Sequence, residues 1–483
     1  MASTANPAKA VKAAHSARHP RASGCPSSGA NSFLGNNVGN NAGGSLSTVV
    51  AGYLNQACDT TSGIVAGEGD LIQSGSSGGF IGAGYQGSVS SGNGFIGAGQ
   101  NDAVSGAEAA VVAGDSNSAS GSDGGILAGS SNTAAGTNSG VLTGANNSAG
   151  GTDSSIASGA NNNTTSDESF IGAGEENSAA STSFVGSGEY NSANGNSTFI
   201  GSGTFNSISA TAEDAVIAGG QSNQANYNDA FVGGGNGNRA TAYVSAVAGG
   251  LADTASGQSA FVGGGSGNTA SGETSVVAGG GSNIASGRYA TIPGGYHNLA
   301  SGQTSFAAGY GSYAVHEGSF VWSDSVSGST HLTTTAANQF LARATGGVRF
   351  FTNAKLTTGV MLAPGGGSWA SASDRNLKDN VASLDDAAIL AKVAQLPVSR
   401  WSYIGEGKVR HIGPMAQDFY AAFGVGEDDR HITAIDEDGV ALAAIKALRA
   451  ENRSLANRDS ALERAVTLQQ KQIATLIAAL KHR

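Results

Sequence analysis

The sequence predicts a mainly β chain: a parallel β-solenoid of about 15-residue coils, followed by a small α+β domain and a terminal helix of heptad character. Three observations carry this reading. An apolar step followed by glycine recurs at nearly constant spacing, lysine and arginine almost vanish over the same residues, and apolar positions after Asp438 return at intervals of three and four.

The chain opens with Lys9, Lys12, Arg18 and Arg21, and no apolar run follows them. Residues 1–32 are therefore expected to be a disordered polar leader, without a standard secretory signal. The two cysteines, Cys25 and Cys58, are too few for a disulfide scaffold or a zinc site and read as incidental.

Residues 33–324 hold the repeat. Val49-Val50-Ala51-Gly52, Ile64-Val65-Ala66-Gly67, Phe80-Ile81-Gly82-Ala83-Gly84 and Phe95-Ile96-Gly97-Ala98-Gly99 begin a series that continues to Gly295, mostly in steps of 15 with isolated steps of 14 or 17. Disorder has no reason to keep such a register. A helical hairpin needs about 30 residues or more per repeat, so each unit is expected to be a coil of short strands with a thin core of Ala, Val, Ile or Phe. Glycine is expected where the backbone takes positive φ, and Asn and Ser at the turns to satisfy backbone groups locally. One coil buries very little, so coils must stack, and small residues favour lateral association with identical chains.

Charge narrows the function. Residues 31–324 carry 20 acidic side chains against Arg239 and Arg288 alone, and so acidic a segment repels phosphate backbones; nucleic acid is not an expected partner. No apolar run approaches the roughly 20 residues of a membrane span. Gly82-Ala83-Gly84-Tyr85-Gln86-Gly87 has dinucleotide-fingerprint spacing but no βαβ context. Asp167-Glu168 and Glu175-Glu176 read as solvated turns, and His297 and His316 are isolated, so no cofactor or metal is expected.

From Phe320-Val321-Trp322 onward the beat stops. Residues 325–372 read as a β-rich neck. Residues 373–437 have the makings of a small α+β domain, with a helix in "LDDAAILAKVAQL", a strand in "VSRWSYI" and a helix from "IGPMAQDFYAAF". Residues 438–483 read as a coiled coil with Ile445, Leu448, Leu455, Leu462, Val466, Ile473, Leu476 and Leu480 in the seam; Asn452, Asp459 and Gln469 share it and fix alignment. At the junction a serine, Ser373, stands five residues before a lysine, Lys378.

On motifs such as "FIGAG" and "VVAGG", the repeat region resembles the heads of trimeric autotransporter adhesins, whose short coils form β-rolls packed three around an axis. The β-barrel anchor of that family is not expected here. More specifically, Ser373-Asp374-Arg375-Asn376-Leu377-Lys378, Arg410 through Asp418, and Gly439-Val440-Ala441-Leu442 resemble the C-terminal intramolecular chaperone domains of phage tail spikes and fibres, the self-cleaving endosialidase type (peptidase S74). That resemblance implies a homotrimer, a break between Ala372 and Ser373, and a Ser373–Lys378 dyad. Asp374 either orients the lysine or caps a helix, and His411 and Gln417 could line the site or simply pack.

The reading is a fibrous, trimeric surface or tail-fibre adhesin, on a virion or a cell surface, that binds a cell-surface glycan or protein. Rivals are a tail-spike depolymerase and a bacterial haemagglutinin. Equivalent coils mispair by a whole repeat at small energetic cost, which gives a removable alignment domain its purpose.

Overall fold

The computed structural model describes residues 25, 29–35, 39–325 and 330–481. Most of the leader expected over 1–32 lies outside them. The chain divides into two compact units, 1–348 with 362–368, and 349–361 with 369–483.

The first unit is a parallel β-solenoid, and its strands are mostly two residues long. Two ladders climb it. In the first, Ala110–Val111 pairs with Gly125–Ile126 and that with Gly140–Val141; in the second, Ser118–Ala119 pairs with Thr133–Ala134 and that with Ser148–Ala149. Each residue therefore meets its counterpart one coil on. Alternation sends the second residue of most strands inward. The inward side chain is usually Val or Ile on the first ladder and most often Ala on the second, as with Ile126 and Ala134, and both are buried. Large opposite small keeps the coil thin. Burying one such Val or Ile contributes about 1.5–3 kcal/mol, so a lone coil cannot offset its chain entropy while a stack can.

A third stack completes the interior, and it is polar. Asn117, Asn132, Asn147, Asn162 and Asn177 lie buried one above another. Oδ1 of Asn132 accepts the Asn147 backbone N–H at 3.1 Å and its Nδ2 at 3.0 Å, while Asn147 Nδ2 also donates to the Gly159 carbonyl at 2.9 Å. These asparagines serve their own turns as expected from sequence, Asn162 Nδ2 donating to the Ser158 carbonyl at 3.3 Å and Asn238 Nδ2 to the Gly234 carbonyl at 2.7 Å, and in addition they bond coil to coil. The recurring glycine makes room for them: Gly129 has φ +120°, and a Cβ there would overlap the Gly144 carbonyl oxygen and stand against the Asn132 amide.

Glycine is not the only residue at positive φ. Asp123, Ser131, Asn138 and Asn146 have φ of 55–57°, as does Val244. Each turn is held by its own N–H reaching back a coil, Asp123 to Ala107 and Ser131 to Asp115, both at 2.8 Å. That bond offsets the local strain of the left-handed conformation.

The spacing departs from 15 where residues are lost or inserted. It is 14 between Phe170 and Phe184, and 17 between Gly63 and Phe80 and between Phe199 and Val216. The ladders also run past residue 324, where the neck was expected to begin. Phe320–Ser323 pairs with Phe340–Arg343, and Leu332 and Thr333 extend the second ladder. This last step is 20 residues, too irregular to show as a beat, and Arg343 Nε closes it on Asp324 at 3.1 Å.

Cys25 and Cys58, read as incidental, are a disulfide with Cα atoms 5.0 Å apart. Cys58 directly follows the second-ladder strand Gln56–Ala57, so the bond fastens the chain ahead of the first coils to the solenoid. Nothing in their spacing shows that proximity.

In the second unit α1 (Asp386–Gln395), α2 (Ala416–Phe423) and α3 (Ala434–Lys481) accompany an antiparallel pair, Ser399–Trp401 with His411–Gly413. Asp385 caps α1 and Gly424, at φ +66°, ends α2. α1 lies on the start of α3, burying Ala443, Ala444 and Ala447, and Lys446 Nζ meets Asp386 Oδ2 at 2.8 Å. Phe419 is the one other buried apolar residue among those described in this unit. Beyond Ala447 every described residue of α3 is exposed.

Candidate active site

The junction is built from a strand end and a single 3-10 turn. Strand Trp369–Ser371 leads to Ala372, whose N–H donates to the Gly359 carbonyl at 3.1 Å. Asp374 then caps the turn Arg375–Leu377: its Oδ1 accepts the Asn376 backbone N–H at 2.9 Å and the Asn376 Nδ2 at 3.1 Å. The tight turn shortens the path between residues five apart. Lys378 Nζ consequently lies 2.8 Å from Ser373 Oγ.

The chemistry open to this pair follows from its atoms. An amine within hydrogen-bond distance of a hydroxyl takes its proton once the amine is neutral, which desolvation or a neighbouring cation favours. Both residues are exposed in the single chain. Asp374, committed to the cap, makes no bond to Lys378.

The other candidates are placed elsewhere. His411, in the short strand pair, directs Nε2 to Glu406 Oε2 at 3.1 Å and packs against Trp401 and Tyr403. Gln417 stands exposed in the first turn of α2. Neither hydrogen-bonds Ser373 or Lys378. Sequence reasoning missed Glu406 and Ser402, which hold the motif: Arg410 Nη1 donates to Ser402 Oγ at 2.7 Å and to the Gly407 carbonyl at 3.0 Å. A carboxylate five residues before a histidine, flanked by Gly405 and Gly407, was the available signal.

The solenoid holds three buried carboxylates that no sequence pattern singled out. Asp70, Asp102 and Asp253 take asparagine's place in the polar stack, and in each Oδ2 lacks a partner. An asparagine would direct its Nδ2 at a glycine carbonyl there; the aspartate presents a second acceptor. Burial pushes all three carboxyls upward, Asp70 to about 6, against the lowering effect of the backbone N–H groups that reach them. They are isolated from one another along the stack and form no catalytic pair.

Among the described residues no helix is long and apolar enough to cross a membrane, and no group of three or more His, Cys, Asp or Glu side chains is placed to hold a metal. A family model described as the chaperone of endosialidase, Peptidase S74, matches residues 373–425, beginning at the serine of the junction. Among curated proteins none matches the chain.

Proposed function

Since residues 373–425 are a chaperone-of-endosialidase domain behind a long parallel solenoid, a tail-fibre- or spike-like arrangement, we infer that the chain assembles as a homotrimer and then releases this domain by cutting itself before Ser373. The observation that carries the reading is the 2.8 Å approach of Lys378 Nζ to Ser373 Oγ at the first residue of the matched domain.

In the proposed reaction Lys378, as the neutral amine, takes the hydroxyl proton. Ser373 Oγ attacks the Ala372 carbonyl carbon, the C–N bond to Ser373 breaks, and Lys378 returns the proton to the departing amine. The resulting ester links Ala372 to Oγ; water hydrolyses it, leaving the Ala372 carboxylate and restoring the hydroxyl. The Ala372 N–H bond to Gly359 fixes one side of the reacting peptide. The pair is exposed in the single chain, and cutting waits until neighbouring copies cover it. Assembly thereby gates the cut.

Removal of the domain leaves three solenoids that no longer carry the device that aligned them, and the product is trapped kinetically. The mature fibre is an extracellular or virion-surface adhesin for a glycan or protein. The Cys25–Cys58 disulfide supports an oxidising location. Intact-mass measurement of the expressed chain tests the reading: two fragments meeting at Ala372 and Ser373 are expected, and an unbroken monomer would refute it.

A further inference from the structure

The outward side of the first ladder differs from every other surface of the solenoid. Its side chains come from the first and third positions of each strand step, as in Phe95-Ile96-Gly97 or Gly125-Ile126-Leu127. From Phe33 to Ala342 neither position is ever charged, in a segment that carries 20 acids. The second ladder shows mostly Ser, Thr, Asn and Gln at its corresponding first position. Twenty steps of about 4.8 Å between the strands of this ladder make an apolar strip about 95 Å long, on the order of 1,000 Å², enough for one side of a stable interface.

The strip has relief. Where the first position is Phe the third is usually Gly, and the ring lies over that glycine, Phe184 Cε1 standing 3.3 Å from where a Cβ of Gly186 would be. Stacked pairs such as Phe80 with Phe95 and Phe170 with Phe184 form ridges, with centroids 5.7 and 5.4 Å apart. Between these ridges the pattern inverts. Ala110, Gly125 and Gly140 leave a groove of about 220 Å³, and beside it Val112, Leu127 and Leu142 project. Knobs and groove lie at the same height on one chain, a shape that a rotated copy of the same chain complements.

The geometry points to this strip as the contact between copies of this chain, parallel and in register, with the Val112, Leu127 and Leu142 knobs of one copy seated in the Ala110, Gly125 and Gly140 groove of the next. The inference rests on the trimeric reading above and assigns its interface. It also supplies a register key. A head-to-tail ring of three closes only if displacements around it cancel, so a one-coil slip at one contact demands the opposite slip at another. One of those slips drives Val112 against Phe95. The uneven order of Phe-bearing and Phe-free coils thus rejects shifted alignments that identical coils would accept.

The test uses the complete chain with paired cysteines. Gly125→Cys with Leu127→Cys is expected to give covalent trimers on a non-reducing denaturing gel, while Gly125→Cys with Ala157→Cys, two coils out of register, and Ser118→Cys with Ser120→Cys on the polar ladder give none. A second variant, Gly125→Glu, has open space around its Cβ, so the chain folds; it is expected to keep its β-sheet circular dichroism and sediment as a monomer. A trimeric parent without the in-register cross-link, or equal cross-linking through the polar ladder, overturns the interface alone. A monomeric parent overturns the trimeric reading and this inference with it. Cross-linking of the offset pair as readily as the in-register one removes the register key.

Discussion

The solenoid and the carboxyl-terminal unit handle burial in opposite ways. In the solenoid most coils place a Val or Ile against an Ala and close their backbone bonds on the coils above and below, so Ile156 is 0% exposed within one chain. In the second unit Leu462 is 65% and Val381 78% exposed, and one phenylalanine with three alanines is all the apolar core described. The first region is complete as a single chain except along one strip. The second leaves the leucines of α3 exposed, so within one chain they contribute no buried core. A domain built this way suits the proposed role, a chaperone that acts once chains have met.

The contrast is broken most decisively at the junction. Ser373→Ala is expected to abolish cutting and leave a full-length trimer, and Lys378→Ala to do the same; two fragments on a denaturing gel from either variant would remove the dyad. Next in size is a paired comparison. Ile156→Ala empties a closed core and is expected to destabilise the solenoid by about 2–5 kcal/mol, read by denaturant unfolding of the cut product. Leu462→Ala empties no buried core within the chain, since the side chain is 65% exposed, and is expected to leave solenoid unfolding unchanged while lowering the yield of cut trimer.

The buried carboxylates sharpen the comparison within the solenoid. The folded chain holds the Asp70 proton more tightly than the unfolded chain does, with its carboxyl at about 6 against the ordinary 3.8. Between those values the folded state binds the extra proton, so stability falls as pH rises through the window and is regained on acidification. Asp70→Asn restores a donor to the stack and is expected to add about 1–2 kcal/mol at pH 7, with the gain fading below pH 4; an equal gain at both pH values in thermal melts would contradict this account. The smallest expected effect is Asp374→Ala, which removes the cap of the 3-10 turn, costs about 1 kcal/mol locally, and slows cutting without abolishing it in a time course of fragment appearance.

Much of this was legible in the sequence because coils repeat. A constant step of 15 forces position n to stand beneath n+15, so the Val and Ile column and the parallel ladders follow from the spacing alone. Ser373 and Lys378 were legible as a motif at a composition change. The 20-residue coil between Phe320 and Phe340 was not, since a single insertion erases a beat without erasing the pairing. Nor were the asparagine stack and the disulfide: an Asn after a turn looks solvated until the neighbouring coil is laid over it, and Cys25 precedes any repeat that would place it.

The sequence by itself thus determined the periodic architecture, the apolar strip's lack of charge and the chemistry available at residues 373–378, because these depend on composition and short spacing. Only the tertiary structure decided that the asparagines point inward as coil-to-coil ties, that Asp70, Asp102 and Asp253 are buried acids, that Asp374 caps the turn, and that Lys378 Nζ reaches Ser373 Oγ. Those outcomes depend on what the adjacent coil or turn places within hydrogen-bond distance, and no linear spacing encodes such a distance.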